Sequence, residues 1–440
     1  MTTPVPAYFD TLHVGTVEVA GDGALSWHYA ERWRAARGAF PISLTMPLGA
    51  EPVPEARIAP WLANLLPEEE QLSILSRALG LGRADVLALL AEIGGDTAGA
   101  LSFSAPADRT HWAYTPLTDF YGTADPHQAL ERHFDDLGRR PFLAGAEGVR
   151  LSLAGGQKKS ALAVLSAQGT PVLRLPGPGD ILAVPRNGAP STVILKPDNP
   201  NLPGITENEV WCLHLAEAIG IPAVRTTLLG AGRRSAICAL RYDRRTGRDG
   251  RLIRVHQEDF AQANGVPPGR KYERGTRPGP GLRALLSTAD HLPATDALAL
   301  LDLVIFNILV ANTDAHAKNY SVLLPVGGPP RLAPLYDVSC VLPWPHVTQF
   351  FAQSLAGKRR KPGRLAGRHW DAIAREMGYR PADLRRRVQQ LVDRMVAQRV
   401  AVTETVCAMP GASRGHVEQA AALVEANALR IAGRLTDTSP

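Results

Sequence analysis

The chain has 440 residues, 45% of them apolar and 20% charged, an ordinary globular composition long enough for two or three domains. No run reaches eighteen apolar residues, and Cys212, Cys238, Cys340 and Cys407 are scattered without a CxxC pair. These facts argue against a membrane span, a disulfide framework and a zinc cluster. The net charge of +6 is concentrated late in the chain and leaves an acidic partner open.

Residues 12–19 and 24–29 alternate as strands around the turn Ala20-Gly21-Asp22-Gly23, and 42–46 reads as a further strand. Helical periodicity comes next over 58–66, 68–79 and 83–93, closed by the turn-rich run 94–99 before a short strand at 100–103. From about 105 to 148 the chain is polar and in places rich in Pro and Gly, and no element is assigned. Strands are predicted at 150–153, 161–165 and 192–196, then a helix over 207–219 and a strand pair near 224–229 and 235–240. From 257 onward the periodicity is helical except for a strand at 320–324. A β-rich part followed by a helical part is an α+β order.

Residues 297–311 (ALALLDLVIFNILVA) are apolar nearly all round and predict a helix buried inside a domain. That helix leads into Asn312-Thr313-Asp314-Ala315-His316-Ala317-Lys318-Asn319, and Asp337 lies downstream in Leu335-Tyr336-Asp337-Val338. Asp314 and Asn319 have the spacing of a kinase catalytic loop, where an Asp receives the substrate hydroxyl proton and an Asn holds a metal. A second downstream Asp suits the carboxylate that grips Mg²⁺. Lys318 adds positive charge near the transferring phosphoryl group. Asp, Asn and His after a helix are also ordinary loop residues, and the feature that favours chemistry is the buried helix that delivers them.

Upstream, Leu151-Ser152-Leu153-Ala154-Gly155-Gly156-Gln157-Lys158-Lys159-Ser160 joins two predicted strands through a Gly-Gly turn. Such a turn frees backbone N–H groups to approach phosphate, and the adjacent lysines add charge; a plain hairpin turn is the alternative. Lys196 ends the apolar strand Thr192-Val193-Ile194-Leu195 and fits an ATP-phosphate ligand or an edge-strand lysine. Glu209 lies early in the next helix, either to pair with Lys196 or to favour the helix start. Each feature alone is weak. Their order along the chain — Gly turn, Lys, helix Glu, Asp and Asn, Asp — is specific.

Taken together, these residues resemble the HipA family, the serine/threonine kinase toxins of bacterial HipBA-type toxin–antitoxin pairs. The similarity covers nearly the full length. Its N-terminal motifs are Pro41-Ile42-Ser43-Leu44-Thr45-Met46-Pro47-Leu48, Asn64-Leu65-Leu66-Pro67 and Leu90-Ala91-Glu92-Ile93-Gly94-Gly95-Asp96. Further motifs are the Gly-Gly turn, Glu207-Asn208-Glu209, Arg241-Tyr242-Asp243-Arg244, His256-Gln257-Glu258-Asp259 and the Asp314 to Asn319 loop. The resemblance implies a bilobal, protein-kinase-like α+β fold with a β-rich N-terminal subdomain and a largely helical C-terminal lobe. The expected divisions are 1–107, the nucleotide-binding lobe 108–240 and the helical lobe 241–440.

The resemblance also implies roles by position. Asp314 would be the catalytic base, and Asn319 and Asp337 would bind Mg²⁺. Lys196, His316 and Lys318 would contact ATP phosphates, with Ala154, Gly155, Gly156, Gln157 and Lys159 in the Gly-rich loop. Tyr242 and Asp243 would lie at the hinge near adenine and ribose. Ser152 would be the autophosphorylated serine whose modification expels the loop. Leu240 stands where some relatives carry an acidic adenine contact, so adenine recognition would rest on backbone groups. Implied partners are a HipB-like helix-turn-helix antitoxin, operator DNA through it, and a protein substrate, in the first place an aminoacyl-tRNA synthetase. The N-terminus lacks a secretory pattern, so a cytoplasmic protein with no membrane partner is expected.

Two other readings share parts of this pattern: a small-molecule phosphotransferase with kinase-like lobes, and a kinase-dead co-repressor acting through antitoxin and DNA. Two basic runs remain. Lys358-Arg359-Arg360-Lys361, in a Gly/Pro-rich loop, is the better candidate for an acidic partner, whereas Arg385-Arg386-Arg387 reads as a solvated helix face.

Overall fold

The computed structural model describes residues 3–232 and 234–438. The chain divides into two compact units. The first comprises Met1–Pro197, Ala231–Pro268 and Val322–Arg331; the second comprises Asp198–Gly230, Gly269–Ser321 and Leu332–Pro440. Among the described residues, no helix is long and apolar enough to cross a membrane, and all four cysteines are free thiols.

The first unit holds two larger sheets, besides the two-stranded ribbon Arg244–Thr246 with Leu252–Arg254. One is antiparallel, in the order Val53–Pro54, Leu25–Tyr29, Leu12–Val19, Val5–Phe9, Leu101–Phe103. Its buried side carries Val14, Val17, Trp27 and Phe103, and helices Glu55–Ala63 and Val86–Ile93 add Ile58, Trp61, Leu62, Leu89 and Leu90 to the same core. In the other sheet Ser160–Leu165 lies between Val193–Pro197 and Ile181–Arg186, with Arg234–Leu240 and Ala113–Pro116 outside them. All six residues of Ser160–Leu165 are buried, in keeping with the apolar run that follows Ser160.

Several expectations fail for identifiable reasons. Residues 42–46 form only an isolated bridge, Ser43 to Met46. Their backbone groups are satisfied by side chains instead: Ile42 N–H donates to the Tyr29 hydroxyl (2.9 Å), that hydroxyl donates to Met46 O (2.6 Å), and Leu44 N–H donates to Glu258 Oε1 (2.7 Å). Residues 150–153 make no strand, only a bridge from Leu151 to Asp96. The helix expected from residue 83 begins at Val86, because the Asp85 carboxylate caps it by accepting from Ala88 N–H at 3.1 Å. The unassigned stretch contains the strand Ala113–Pro116 and the helix Pro126–Leu137, capped by Asp125 and opened by Pro126. The strand Ile181–Arg186 was not anticipated either.

The second unit is largely helical. Its main helices are Ile205–Ala218, Ala294–Leu309, Gly367–Glu376, Pro381–Cys407 and Arg414–Ala432. Polar contacts fix their packing: Trp211 Nε1 donates to Thr403 Oγ1 (3.1 Å), and Asn427 Nδ2 donates to Leu309 O (2.8 Å), closing the end of Ala294–Leu309. The arginine run is not simply a solvated face. Arg387 grips Asp302 (Nη2 to Oδ2 2.6 Å) and Arg385 pairs with Asp371, tying Pro381–Cys407 to two neighbouring helices. Only Arg386 pairs locally, with Asp383 at 2.5 Å. Residues 325–366 are mostly irregular rather than helical.

Candidate active site

In the second unit, the end of Ala294–Leu309 builds the catalytic-loop candidate. Ala311 takes a left-handed conformation (φ 59°) directly after the helix and turns the chain out of it. Asn312 then organises the loop. Its Nδ2 donates to Asn307 Oδ1 (2.8 Å) and reaches Asp337 O (3.4 Å), while its Oδ1 accepts from Asp314 N–H (3.1 Å). One buried amide thus ties the helix to both the Asp314 and Asp337 backbones. The sequence motif contains Asn312 but gave no sign of this role.

Asn319 donates from Nδ2 to Asp314 O (2.9 Å), and His316 N–H donates to the same carbonyl (2.7 Å). The loop is further held by Tyr336, whose hydroxyl donates to Lys318 O (2.8 Å), and by Gln353, which donates to Ala315 O (3.0 Å). His316, Lys318 and Asn319 are buried, whereas the Asp314 side chain reaches solvent. Asp337 also sits in the left-handed region (φ 57°), which Asp tolerates better than most residues.

The Asp314 carboxyl is raised above its ordinary range. Surrounding protein is the largest cause and the charge of Asp337 adds to it, while a hydrogen bond from Tyr272 and the charges of Lys271 and Arg274 oppose it. Asp314 and Asp337 feel each other's charge, and carboxylate and amide oxygens are the hard donors that Mg²⁺ takes. With Asn319 Nδ2 committed to Asp314 O, its Oδ1 is the atom left for a cation. Among the described residues no group of three or more His, Cys, Asp or Glu side chains is arranged for a metal. A pair of protein ligands completed by phosphates and water is how Mg²⁺ is commonly held, so the residues present fit that ion.

The Gly-rich loop lies in the first unit, where it is not a hairpin turn. Ser152 N–H donates to Asp96 O (3.1 Å), its buried hydroxyl donates to Leu65 O (2.7 Å), and Glu68 N–H donates to Gly155 O (3.2 Å). The Asn64–Pro67 and Gly94–Asp96 motifs therefore form a seat for this loop. Gly155 requires its glycine: at φ 105° a Cβ would lie 2.7 Å from Lys159 Nζ. Lys159 Nζ donates to Ala154 O (2.6 Å), and Gly156, Gln157 and Lys158 are exposed at the tip. Lys196 is half-buried on Val193–Pro197, opposite Ile237. Glu209 is buried in Ile205–Ala218 of the second unit.

The hinge candidates behave differently. Tyr242 is half-buried, and its hydroxyl donates to Gln257 Oε1. The Asp243 carboxylate is buried and accepts from Arg241 (Nη2 to Oδ2 2.6 Å), Arg244 (3.0 Å) and Gly99 N–H (2.7 Å). Beside it, Asp96 accepts from Arg244 (2.8 Å), Arg254 Nε (2.9 Å), Arg241 (3.3 Å) and the Ser191 hydroxyl (2.7 Å). Burial alone would raise the Asp96 carboxyl, but the three guanidinium groups outweigh it and hold it well below the carboxylate range. This network joins motifs that stand far apart in the sequence, and their pairing was not foreseen.

The basic loop at 358–361 exposes Lys358, Arg359 and Lys361. Arg359 and Lys361 lie over the Phe350 ring at 4.8 and 5.1 Å, and Arg360 Nε donates to Leu355 O (2.8 Å).

Comparison with known proteins bears on the family and the fold. Residues 5–104 match the HipA N-terminal domain family and residues 151–399 the HipA-like C-terminal domain family. A putative kinase of Sinorhizobium fredii, Y4mE, is 38% identical over 88% of each chain. The serine/threonine-protein kinase toxin HipA of Shewanella oneidensis is 31% identical over 75% of this chain and 72% of its own. A solved Shewanella oneidensis MR-1 structure, of the toxin–antitoxin system HipA with HipB and its operator DNA, superposes with a TM-score of 0.81 at 25% identity, covering 99% of each chain. Fold and relatives define a protein kinase with an α+β, kinase-like architecture. The chain belongs to the HipA family of serine/threonine kinase toxins.

Proposed function

We propose that this chain is the kinase of a type II toxin–antitoxin pair, transferring the ATP γ-phosphate to a serine of a translation factor, in the first place an aminoacyl-tRNA synthetase. The observation that carries the reading is the single hydrogen-bonded loop that holds Asp314 and Asn319 and is tied through Asn312 to Asp337. Asp314 accepts the proton of the acceptor hydroxyl, and Asn319 and Asp337 hold Mg²⁺. Bound Mg²⁺ATP supplies the phosphoryl group with its charge partly neutralised. Lys196, supported by Glu209, and His316, Lys318, Lys159 and the Ala154–Gly156 backbone with Gln157 bind the nucleotide's phosphates, with Tyr242 near its base. The divisions 1–107, 108–240 and 241–440 belong to the same proposal.

Ser152 is the autophosphorylation site in this reading. Its hydroxyl fills a buried position against Leu65 O, where a phosphate of about −1.5 to −2 charge cannot be solvated, so modification requires the loop to leave its seat. The likeness to a chain solved with HipB and operator DNA supports a HipB-like antitoxin and, through it, DNA. The basic loop at 358–361 is a candidate contact for such an acidic partner.

The test is phosphosite mapping by mass spectrometry after incubating the full chain, Mg²⁺ATP and a bacterial lysate. The expected result is one phosphate on Ser152 and phosphoserine on a translation protein. Label confined to small molecules would overturn the protein-toxin reading.

A further inference from the structure

One side chain of the second unit touches the reactive carboxylate and belongs to no motif that pointed to function. Tyr272 donates its hydroxyl to Asp314 Oδ1 at 2.5 Å. It lies forty-two residues upstream, in a stretch rich in Gly, Pro and Arg.

The contact is built rather than incidental. The two residues flanking Tyr272 are each tied down: Ala317 N–H donates to Lys271 O (3.2 Å), Glu273 N–H donates to Ala352 O (3.1 Å), and Ser354 N–H donates to Glu273 Oε2 (2.7 Å). The Tyr272 carbonyl itself accepts from Gly279 N–H (2.8 Å). The ring is clamped as well. The Arg274 guanidinium stands 3.9 Å over its centroid, and His316 meets it edge-on at 4.9 Å and 82°. A phenol with its flanking backbone pinned, a guanidinium over its ring and an imidazole edge-on to it is held in place before any substrate arrives.

We infer that Tyr272 is a positioning residue for phosphoryl transfer: its hydroxyl holds Asp314 Oδ1 and so presents Oδ2 to the acceptor serine. This rests on the reading of Asp314 as the base. A carboxylate on a single bond can rotate, and a base works only when the accepting oxygen is already aimed at the proton it takes. The backbone of Asp314 is secured by Asn312, His316 and Asn319, but none of those contacts fixes the carboxylate. The Tyr272 hydroxyl does, at Oδ1. The arrangement repeats the general logic of a base oriented by a third group.

The experiment compares Tyr272→Phe, Tyr272→Ala, Asp314→Asn and the double variant Tyr272→Phe/Asp314→Asn, each as the full chain. The readout is the rate of label transfer from γ-labelled ATP to precipitable protein in a bacterial lysate, with Mg²⁺ATP varied. Tyr272→Phe keeps the ring under Arg274 and loses only the hydroxyl. It should lower the rate at saturating ATP about tenfold or more, within the roughly hundredfold that misplacing a reacting group can cost. The KM for ATP and the melting temperature should stay those of the wild type. Tyr272→Ala should fall no further in rate, and the double variant should be no slower than Asp314→Asn. A Phe variant at or above wild-type rate overturns the inference, the faster result marking Tyr272 as a plug in the acceptor position. An additive loss in the double variant overturns it too, since Tyr272 would then act elsewhere. Wild-type rates for Asp314→Asn would instead end the reading of Asp314 as base.

Discussion

Two clusters of charge, one in each unit, use the same residue type to opposite ends. In the first unit Asp96 and Asp243 are buried, face three guanidinium groups, and are both held below the ordinary carboxylate range. In the second, Asp314 reaches solvent, feels the charge of Asp337, and is pushed up. Desolvation by the surrounding protein opposes ionisation in every case, at Asp314 although its residue surface is exposed. The difference lies in the neighbours: an excess of arginine in one place, and in the other a second carboxylate that the Tyr272 hydroxyl, Lys271 and Arg274 only partly offset. A cluster with every oxygen satisfied has nothing left to offer a ligand and acts as a fastener. A cluster in which two carboxylates repel each other carries a cost that binding or chemistry can relieve, which is where functional groups are expected.

Mutating one carboxylate in each cluster should therefore give complementary losses. Asp314→Asn is expected to cut phosphoryl transfer by about a hundredfold or more, the usual contribution of a positioned base. It should leave the melting temperature unchanged or slightly raised, because a repelled charge is removed. Transfer above roughly a tenth of wild type would end the assignment, given that contribution.

Asp96→Asn should show the reverse, a stability defect first. Three guanidinium groups would be left facing a single neutral amide and Asp243. Breaking a buried charge network in this way costs about 3–5 kcal/mol. Denaturant unfolding of the variant should show that loss, and any fall in activity should track the folded fraction. Equal stability of variant and wild type would mean the network carries no net energy and would erase the contrast between the clusters.

The two clusters were unequally legible in the sequence. Asp314 and Asn319 lie in one octapeptide behind a helix apolar on all sides, so local spacing was enough to mark them. The arginine partners of Asp96 lie 145 to 158 residues away, and Tyr272 lies 42 residues before Asp314; no local pattern links such groups. The N-terminal strands Leu12–Val19 and Leu25–Tyr29 were readable because one face is buried and the alternation survives. Residues 42–46 have strand-like composition, yet their backbone bonds go to Tyr29 and Glu258, so composition misled. In Pro126–Leu137 the cap Asp125 and the buried positions Ala129, Leu130, His133, Phe134 and Leu137 were present as a signal, masked by the charged outer face of the helix.

His133 offers the smallest and most specific test of the view that the first unit keeps its titratable groups in one fixed state. It is fully buried in Pro126–Leu137, with Nε2 2.7 Å from Ser160 Oγ and Nδ1 3.1 Å from Tyr121 Oη. The Tyr121 hydroxyl donates to Asp136 Oδ2 (3.2 Å), and Arg140 donates to the same carboxylate (Nε to Oδ1 3.0 Å). With that hydroxyl committed to Asp136, Nδ1 donates to Tyr121 and Nε2 accepts from Ser160, which fixes a neutral tautomer. Burial lowers the His133 pKa to about 4, only partly offset by Asp136. Its folded pKa therefore lies below its unfolded value of about 6.5. As pH falls from there towards 4 the unfolded chain takes up a proton that the folded chain refuses, so this site's contribution is complete above about 6.5 and is lost on acidification. The slope is about 1.4 kcal/mol per pH unit for one proton. His133→Gln can keep a hydrogen bond to Ser160 but cannot titrate. The stability gap between wild type and this variant, from urea unfolding at a series of pH values, should narrow at about that slope below pH 6.5. Parallel stability curves across that range would show that His133 takes its proton equally in both states, and the buried relay would then be looser than its distances imply.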